Sequence, residues 1–316
     1  MAKRLWRTLS AFDHPSRSWA PITPIAPLRN TQSPAVVRVS QNQPAQRLSL
    51  TSWNIDAFSP RPVARARLIL THILERRPNP PDIIFLQEVS SDVRTSLLDD
   101  ARVRAAFLAT DAEDHASFEG VPFATMALLS TQRFAGGLDP RREGVGIARV
   151  ARVALPSKYR RDALYVDIVP PTAPGTVFRL INVHLDSLGD TLHHRARQLE
   201  ILADVLRESG CSGGVIAGDF NAVRPEDGGL LGKNGLVDAW ATLHDTVDPG
   251  GATWSVGVER RDGLKPGRLD KVAMMGSKVE GMQVLRPGHV DVPRPDGKPF
   301  EIPWSDHCGP TCIFTI

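Results

Sequence analysis

Residues 215–221 have the sequence V-I-A-G-D-F-N, in which two polar side chains follow a short apolar run. The apolar residues predict the end of a buried strand, and Gly218 lets the backbone pass a crowded site without a Cβ clash. Asp219 and Asn221 are two residues apart, so on an extended chain they point the same way. A carboxylate beside an amide predicts a pair that holds and deprotonates a water next to a metal-bound phosphate. A turn is the alternative interpretation, because Asp and Asn favour turns.

Similar polar residues stand at the ends of other apolar segments. They are Asn54, Glu88, His184, Asp270, Asp306 and His307. Taken singly, Glu88 could be a helix cap and His184 a core histidine. Asp270 could pair with Lys271 or Arg268. Together these residues indicate a functional site, because buried polar groups cost free energy unless they have partners.

The chemistry that this set predicts is metal-assisted phosphoryl hydrolysis. A hard divalent cation takes oxygen ligands and keeps several waters, so one or two carboxylates suffice, and Glu88 is the strongest ligand candidate. A metal ion and a histidine can share the negative charge that builds on the phosphorus oxygens. The sequence has no H-E-x-x-H motif, no cysteine cluster and no G-x-x-x-x-G-K loop, which argues against zinc-protease and P-loop chemistry.

Hydrophobic periodicity places these residues in an alternation of strands and helices. We predict strands at 48–54, 82–87, 123–130, 163–169, 177–185, 213–219, 268–274 and 309–316. We predict helices at 65–76, 93–107 and 190–207. Residues 141–155 are expected to form an exposed hairpin, and residues 225–235 and 287–303 to form loops. This order predicts an α/β fold in which two sheets pack face to face and helices cover each of them.

Length and composition are those of an ordinary globular chain. The 316 residues are 41% hydrophobic and 23% charged, and the net charge of +3 suits an anionic substrate. Three cysteines form neither a disulfide framework nor a zinc-binding spacing, so a reducing, intracellular compartment is expected. No apolar run is long enough to predict a membrane span.

The first 47 residues differ from the rest of the chain. They contain seven basic residues against one acid, and six prolines interrupt any periodic pattern. We therefore predict a disordered basic tail over residues 1–47 and one catalytic domain over residues 48–316. The Arg-rich, acid-poor N-terminus also resembles a mitochondrial transit peptide, whereas a solvated or nucleic-acid-attracting arm is the simpler interpretation.

Six short motifs, in order, resemble the endonuclease/exonuclease/phosphatase superfamily over residues 48–316. They are 52–56 (S-W-N-I-D), 86–89 (L-Q-E-V), 182–187 (N-V-H-L-D-S), 218–221 (G-D-F-N), 268–271 (R-L-D-K) and 305–307 (S-D-H). The resemblance implies a four-layer α-β-β-α sandwich and a Mg²⁺ or Mn²⁺ cofactor.

The resemblance also implies a role for each polar residue of the set. By it, Glu88 binds the metal ion, with Asn54 and Asp306 nearby. Asp219 orients or deprotonates the attacking water, and Asn221 helps it.

The two histidines are assigned to the phosphate by the same resemblance. His307 contacts the phosphate and is held by Asp270, while His184 contacts the phosphate from the other side. An acceptor such as Asp270 behind a histidine fixes its tautomer and favours the charged imidazolium.

Within the superfamily, the sequence most resembles the 5′-tyrosyl-DNA phosphodiesterases. The W-N-I-D form of the first motif and the H-L-D-S form of the third, where that branch has H-L-E-S, carry this resemblance. By it, Ser187 contacts phosphate, and Arg195 is a further substrate-binding residue within an R-x-x-Q-L pattern. Trp254 and Phe123 fall where that branch places aromatic surfaces near the DNA end, and base stacking on such rings is sequence-tolerant.

The expected function is removal of 5′-phosphotyrosyl adducts from single-stranded or frayed DNA ends, which is a DNA-repair activity. We expect a nuclear location, with the mitochondrion as the alternative. Arg224, Lys271 and Cys308 depart from the pattern of the branch and bear on the substrate. The alternatives are a phosphatase or phosphodiesterase on a lipid or sugar phosphate, and an inactive DNA-binding member. Every expected catalytic position is filled, which argues against the inactive member.

Overall fold

Two large mixed β-sheets pack face to face, and helices cover the outer face of each sheet. The computed structural model describes residues 3–25, 45–75, 79–134, 144–244, 249–257, 264–294 and 298–316. The predicted four-layer α/β sandwich is therefore confirmed.

The strands are numbered in chain order. They are β1 (Arg4–Arg7), β2 (Leu9–Asp13), β3 (Ser18–Pro21), β4 (Arg47–Asn54), β5 (Ile83–Val89), β6 (Phe107–Thr110), β7 (Ala124–Ser130), β8 (Gly146–Ala154), β9 (Asp162–Val169), β10 (Val177–His184), β11 (Cys211–Asp219), β12 (Val237–Asp238), β13 (Asp270–Met275), β14 (Lys278–Leu285), β15 (His289–Val292), β16 (Phe300–Pro303) and β17 (Gly309–Thr315). One sheet has the order β1-β8-β9-β10-β11-β13-β12, and the other has the order β14-β17-β4-β5-β7-β6-β2-β3. Strands β15 and β16 form a separate hairpin.

The helices are short, with two exceptions of about four turns. They are α1 (Pro62–Glu75), α2 (Ser91–Leu98), α3 (Ala101–Ala106), α4 (Thr131–Phe134), α5 (Leu192–Leu206), α6 (Leu230–Lys233) and α7 (Ala239–Leu243). Among the described residues, no helix is long and apolar enough to cross a membrane.

Three apolar clusters hold the layers together. The central cluster lies between the sheets and includes Phe85 of β5 and Leu180 of β10. On the outside of the eight-stranded sheet, α1 contributes Ile69 and Leu70 at helical spacing, and on the outside of the seven-stranded sheet α5 contributes Leu202. Each such side chain contributes about 1.5–3 kcal/mol by leaving water, so the two long helices are fixed by their apolar stripes.

The N-terminal segment is folded, so the prediction of a disordered tail is wrong for residues 4–21. Strand β1 pairs with β8 at the edge of one sheet, and the β2–β3 hairpin pairs with β6 at the edge of the other. Two of the basic residues that suggested a tail are paired with distant acids: Arg4 with Glu208 and Arg7 with Asp114. Local composition could not show this, because the partners lie more than 100 residues away. Residues 26–44 of the predicted tail lie outside the described residues.

Three other local predictions are also corrected. Residues 146–154 form β8, a mostly buried strand between β1 and β9 rather than an exposed hairpin, and residues 135–143 lie outside the described residues. The predicted helix over 93–107 is two helices, because Asp100 caps the backbone N–H of Arg102 and starts α3. The predicted loop over 287–303 contains the β15–β16 hairpin, and the predicted loop over 225–235 contains a 3₁₀ turn and α6.

Candidate active site

The site lies where the carboxyl ends of two parallel strand pairs meet. Strand β4 runs parallel to β5 in one sheet, and β10 runs parallel to β11 in the other. The two sheets are joined beneath the site, because Gln87 Nε2 donates to Asn182 Oδ1 at 2.8 Å. Both amides are fully buried. Polar residues at the ends of all four strands are thereby brought to one opening.

Asp219 ends β11 and sits at the centre of the site. In the register of β10 with β11, Val183 faces Gly218 and His184 faces Asp219. A Cβ on Gly218 would lie 2.0 Å from the Val183 carbonyl oxygen, and the φ of Gly218 is +143°, so glycine permits this close pairing. Asp219 Oδ1 accepts the backbone N–H of Asn221 at 2.8 Å, while Oδ2 faces the opening.

Burial raises the pKa of Asp219 to about 6. His307 opposes the increase and Asp270 adds to it. The carboxylate is almost completely buried, yet among the described residues its Oδ2 accepts a hydrogen bond only from the Asn54 side chain, at 3.0 Å. A carboxylate with a raised pKa and a free lone pair is suited to take a proton from water near neutral pH.

His307 and Asp270 form a buried pair opposite Asp219. His307 Nδ1 lies 2.7 Å from Asp270 Oδ2, and His307 Nε2 lies 3.8 Å from Asp219 Oδ2. Burial alone would lower the pKa of His307, but Asp270 and then Asp219 raise it well above its ordinary value. Thr253 Oγ1 accepts the Asp270 backbone N–H and fixes the carboxylate's position. His307 is therefore a charged imidazolium, as the resemblance implied.

His184, at the end of β10, is neutral, in contrast to His307. Burial lowers its pKa well below the ordinary value, and Arg161 and His307 lower it further. Its Nε2 lies 3.3 Å from Arg161 Nη2 and 3.5 Å from Asp219 Oδ2. The imidazole stacks on the Phe123 ring, with centroids 5.5 Å apart and an interplanar angle of 20°. The site thus contains one charged and one neutral histidine.

Glu88 lies at a bulge in β5, where the pairing with β7 shifts between Leu86 and Val89. Its φ is +57°, which is rare for a glutamate and turns the side chain out of the sheet into the opening. Glu88 Oε2 accepts the Ala57 backbone N–H at 2.9 Å, and Oε1 accepts Asn54 Nδ2 at 3.2 Å. Burial raises the pKa of Glu88, and these two hydrogen bonds oppose the increase.

The donor set around Glu88 fits a Mg²⁺ or Mn²⁺ ion. Its side chain is mostly buried, and no arginine or lysine nitrogen of the described chain lies within 4 Å of its carboxylate. Oxygen atoms of Glu88 and Asp219 both approach His184 Nε2, at 3.8 and 3.5 Å, so the two carboxylates converge. Buried carboxylates without a cationic side chain are stabilised by a hard cation, and oxygen ligands are those that Mg²⁺ and Mn²⁺ prefer.

A second group, Asp219, Asp270 and His307, places one potential ligand atom from each residue within 4.8 Å of the others. Spacing alone would allow a metal ion there. In this group His307 Nδ1 lies 2.7 Å from Asp270 Oδ2, whereas no arginine or lysine nitrogen of the described chain lies within 4 Å of the Glu88 carboxylate. The two groups of residues share Asp219, and either could hold a metal ion.

Two further predicted residues lie at the rim of the opening. Asp306 is partly exposed, and its Oδ2 accepts Trp254 Nε1 at 2.9 Å, while its Oδ1 lies 3.8 Å from His307 Nε2. Its contacts are thus with His307 and Trp254, and its place beside a metal ion stays a prediction. Trp254 is half-buried, and its role as an aromatic surface for DNA stays a prediction.

Arg195 has a structural role, so its prediction as a substrate-binding residue is wrong. Its side chain is 1% exposed and forms two parallel 2.8 Å bonds to Asp227. The remaining terminal nitrogen donates to the carbonyl oxygens of Asp186 and Leu188. Gln198, in the same R-x-x-Q pattern, holds Asp186 through both polar atoms of its amide: Oε1 accepts the Asp186 backbone N–H, and Nε2 donates to Asp186 Oδ1. The pattern fixes the loop after β10 and presents no group to a ligand.

Arg161 is a site residue that the sequence analysis missed. Its Nη2 lies 3.3 Å from His184 and 3.5 Å from Ser187 Oγ, and its guanidinium lies over the Phe123 ring at 5.0 Å. Burial lowers the pKa of Arg161, and Glu88 and Asp219 oppose that decrease. The only sequence signal was its place in the S-K-Y-R-R-D stretch before β9, which does not indicate which of two adjacent arginines points inward.

A pocket of about 490 Å³ adjoins the catalytic residues on the His184 side. Phe58, Phe123, Tyr159 and Leu188 supply apolar walls, and Arg161 supplies a positive group. Phe58 is 75% exposed and packs edge-on against Phe123, so the rim of the pocket is aromatic. The pocket has the size and lining for a flat ring attached to a phosphate.

Several solved structures share this fold. A crystal structure of D. rerio TDP2 complexed with a single-strand DNA product aligns with a TM-score of 0.61 at 20% identity, covering 86% of this chain and 100% of that chain. Truncated Caenorhabditis elegans TDP2 gives a TM-score of 0.61 at 20% identity, covering 85% and 98%. The human Nocturnin catalytic domain with a bound sulfate anion gives 0.55 at 18% identity, covering 85% and 94%. No curated protein matches the chain by sequence.

The family comparison is more specific than these structural likenesses. The Endonuclease/Exonuclease/phosphatase family matches residues 51–307, which is most of the chain and includes every catalytic candidate from Asn54 to His307. The chain therefore belongs to the Endonuclease/Exonuclease/phosphatase family.

Proposed function

We propose that this chain is a Mg²⁺- or Mn²⁺-dependent phosphodiesterase that hydrolyses phosphoester bonds at nucleic-acid ends, with 5′-phosphotyrosyl DNA as its substrate. The observation that carries the proposal is the position of Asp219, a buried carboxylate with a raised pKa, between the charged His307 and the neutral His184. Family membership and the likeness to TDP2 structures, one of which holds a single-strand DNA product, support it.

Asp219 is the general base in this mechanism. Its Oδ1 is held by the Asn221 N–H, and its Oδ2 is held by Asn54, so the carboxylate cannot rotate away from the opening. A water molecule in the opening donates to Oδ2 and loses its proton there as its oxygen attacks phosphorus. The bond between phosphorus and the phenolic oxygen of the tyrosine breaks, and the phenolate leaves with the bonding electrons. Proton transfer to a positioned base contributes about 10²–10⁴-fold to a rate.

The two histidines and Arg161 stabilise the phosphate. The Nε2–H of the His307 imidazolium donates to a phosphate oxygen. Asp270 accepts the hydrogen bond from Nδ1–H and thereby keeps Nε2 protonated and directed at the phosphate. On the other side, Arg161 adds a positive charge beside the neutral His184. Fixed donors aimed at the developing negative charge need no reorganisation during the reaction.

Glu88 would hold the divalent cation, and Asn54 would lie nearby, because Asn54 Nδ2 donates to Glu88 Oε1 and to Asp219 Oδ2. When bound, such an ion offsets the negative charge that builds on the phosphate oxygens. The Ala57 N–H donates to Glu88 Oε2 and fixes the orientation of this carboxylate.

The aromatic pocket supports a ring-bearing substrate. Its rings are Phe58, Phe123 and Tyr159, beside Arg161, so a phenol or a base can stack there while its phosphate lies at His184. Trp254, which donates to Asp306, offers a further ring on which a nucleobase of a single-stranded end can stack. We propose DNA as the partner and the nucleus as the location, with the mitochondrion as the alternative.

The experiment is hydrolysis of a short oligonucleotide with a 5′-phosphotyrosine, in Mg²⁺ and in EDTA. An abasic duplex and a soluble phosphoinositide serve as competing substrates, and Asp219→Asn serves as the inactive control. Mg²⁺-dependent release of a 5′-phosphate end from the first substrate alone supports the proposal. Cleavage of only the abasic duplex or only the phosphoinositide would transfer the function to another branch of the family, and no turnover of any substrate would reject an enzymatic role on them.

A further inference from the structure

Arg65 lies in the first turn of α1 and is completely buried beneath the loop of residues 55–61. This loop joins β4 to α1 and passes beside the carboxylate of Glu88. The Arg65 guanidinium donates to five backbone carbonyl oxygens. They are those of Pro60 (2.8 Å), Ile55 (2.9 Å), Trp304 (2.6 Å), Asp56 (2.5 Å) and Ser59 (2.8 Å).

These five contacts use all five N–H groups of the guanidinium, one from Nε and two from each terminal nitrogen. None of them goes to a carboxylate, and the nearest carboxylate oxygen, Asp56 Oδ2, lies 3.8 Å away. Arg65 therefore brings a positive charge to the acidic site without occupying an oxygen that a metal ion needs. A lysine has three donors on a single point and cannot reproduce this planar arrangement.

The backbone that Arg65 holds is the backbone that orients the metal-binding side of the site. Ala57, inside the loop, donates its N–H to Glu88 Oε2, and Asp56 donates its N–H to Asn54 Oδ1. The contact with Trp304 reaches a second segment, where Ser305 Oγ donates to the Asn54 carbonyl oxygen and accepts the His307 N–H. One side chain thus joins the segment after Asn54 to the segment before His307.

We propose that Arg65 is a positioning residue that fixes the loop of residues 55–61 and, through the Ala57 N–H, presents Glu88 to the divalent cation. This assignment rests on the proposed function, because it gives Glu88 its role as the metal ligand. Groups that orient a metal ligand are worth about 10–100-fold in metal affinity when they are removed.

The test compares Arg65→Lys with Arg179→Lys. Arg179 of β10 is also fully buried, and it pairs with Asp167 of β9, away from the residues of the site. Both variants keep a positive charge and lose buried hydrogen bonds, so Arg179→Lys controls for loss of stability. Mn²⁺ affinity is measured by electron paramagnetic resonance, and backbone mobility by hydrogen–deuterium exchange of peptides covering 55–61 and 304–307, both without substrate.

Arg65→Lys is expected to weaken Mn²⁺ binding by about tenfold or more and to speed exchange in both peptides, whereas Arg179→Lys changes neither. Unchanged exchange in these peptides in folded Arg65→Lys would overturn the proposal, and so would equal effects of the two variants. If the wild-type chain binds Mn²⁺ but hydrolyses no substrate, the proposed function fails and the Arg65 result still holds. Should Arg65→Lys not fold, Arg65→Gln takes its place with the same two measurements.

Discussion

Replacement of Asp219 by asparagine is expected to abolish most turnover and at the same time to stabilise the fold. Loss of a general base costs at least about 10²-fold in turnover, which is about 2.7 kcal/mol of activation free energy. Asparagine keeps the size of the side chain and can still accept the Asn221 N–H that Asp219 Oδ1 accepts at 2.8 Å. The loss of rate therefore reports on the chemistry rather than on the fold.

The gain in stability follows from the raised pKa of Asp219. Burial raises it from 3.8 to about 6. Each unit is worth about 1.4 kcal/mol, so the ionised group costs the fold roughly 3 kcal/mol at neutral pH. The variant loses the acceptor for Asn54 Nδ2, and this loss offsets about 1 kcal/mol of the gain in stability. A net gain of about 2 kcal/mol remains.

The sign of the pH dependence is fixed by the same shift. A carboxyl group whose pKa is higher in the folded chain destabilises the fold once it ionises. Wild-type stability should therefore fall relative to Asp219→Asn as the pH rises from about 4 to about 6, and the difference should be constant above that range.

Urea unfolding at pH 4 and pH 7 in EDTA measures this difference, and single-turnover hydrolysis measures the rate. The matched control is Asp227→Asn, in which the buried carboxylate is paired with Arg195 and its loss should destabilise the fold. An Asp219→Asn variant that is no more stable than wild type at pH 7 would refute the burial argument. Wild-type turnover in that variant would remove Asp219 from the mechanism.

Three further outcomes are expected. Glu88→Gln should raise the Mg²⁺ concentration for half-maximal activity by about tenfold or more, because the ion loses a charged ligand. An unchanged Mg²⁺ titration would mean that Glu88 has a structural role only. Arg195→Ala should lower the free energy of unfolding by roughly 3–5 kcal/mol, because Asp227 remains buried without its partner; urea titration measures it, and the KM of the folded variant should stay at the wild-type value. Phe123→Ala should weaken binding of the phosphotyrosyl oligonucleotide by about 1–3 kcal/mol through lost stacking; equal KM values for both proteins would exclude this ring from the substrate site.

The sequence predicted the central part of the fold because local hydrophobic patterns specify the strands and helices there. Strands such as β5 and β11 are apolar runs that end in polar residues, and helices α1 and α5 have apolar stripes at helical spacing. The N-terminal strands were missed because an edge strand has no apolar pattern of its own. Their basic residues find partners only once remote segments are in place, as Arg4 does with Glu208.

The difference between the two histidines was equally beyond the reach of the sequence alone. His184 and His307 each follow an apolar segment or stand beside one, yet one is neutral and the other is charged. Burial lowers the pKa of both rings, and the neighbours decide the outcome: Arg161 lowers the pKa of His184 further, whereas Asp270 raises that of His307. Such neighbours come from other strands, and only the packing of the two sheets sets them.

By itself, the sequence determined most of the chemical groups that the site contains and the strand ends that carry them, with Arg161 as the exception. That follows because a buried polar residue at the end of an apolar run requires a partner or a function. Only the tertiary structure decided how each group is used. It assigned Arg195 to Asp227 and Arg65 to five carbonyl oxygens, and it turned Glu88 into the opening. The physical reason is that burial and hydrogen bonding across the two sheets, rather than residue type, set each group's charge, orientation and accessibility.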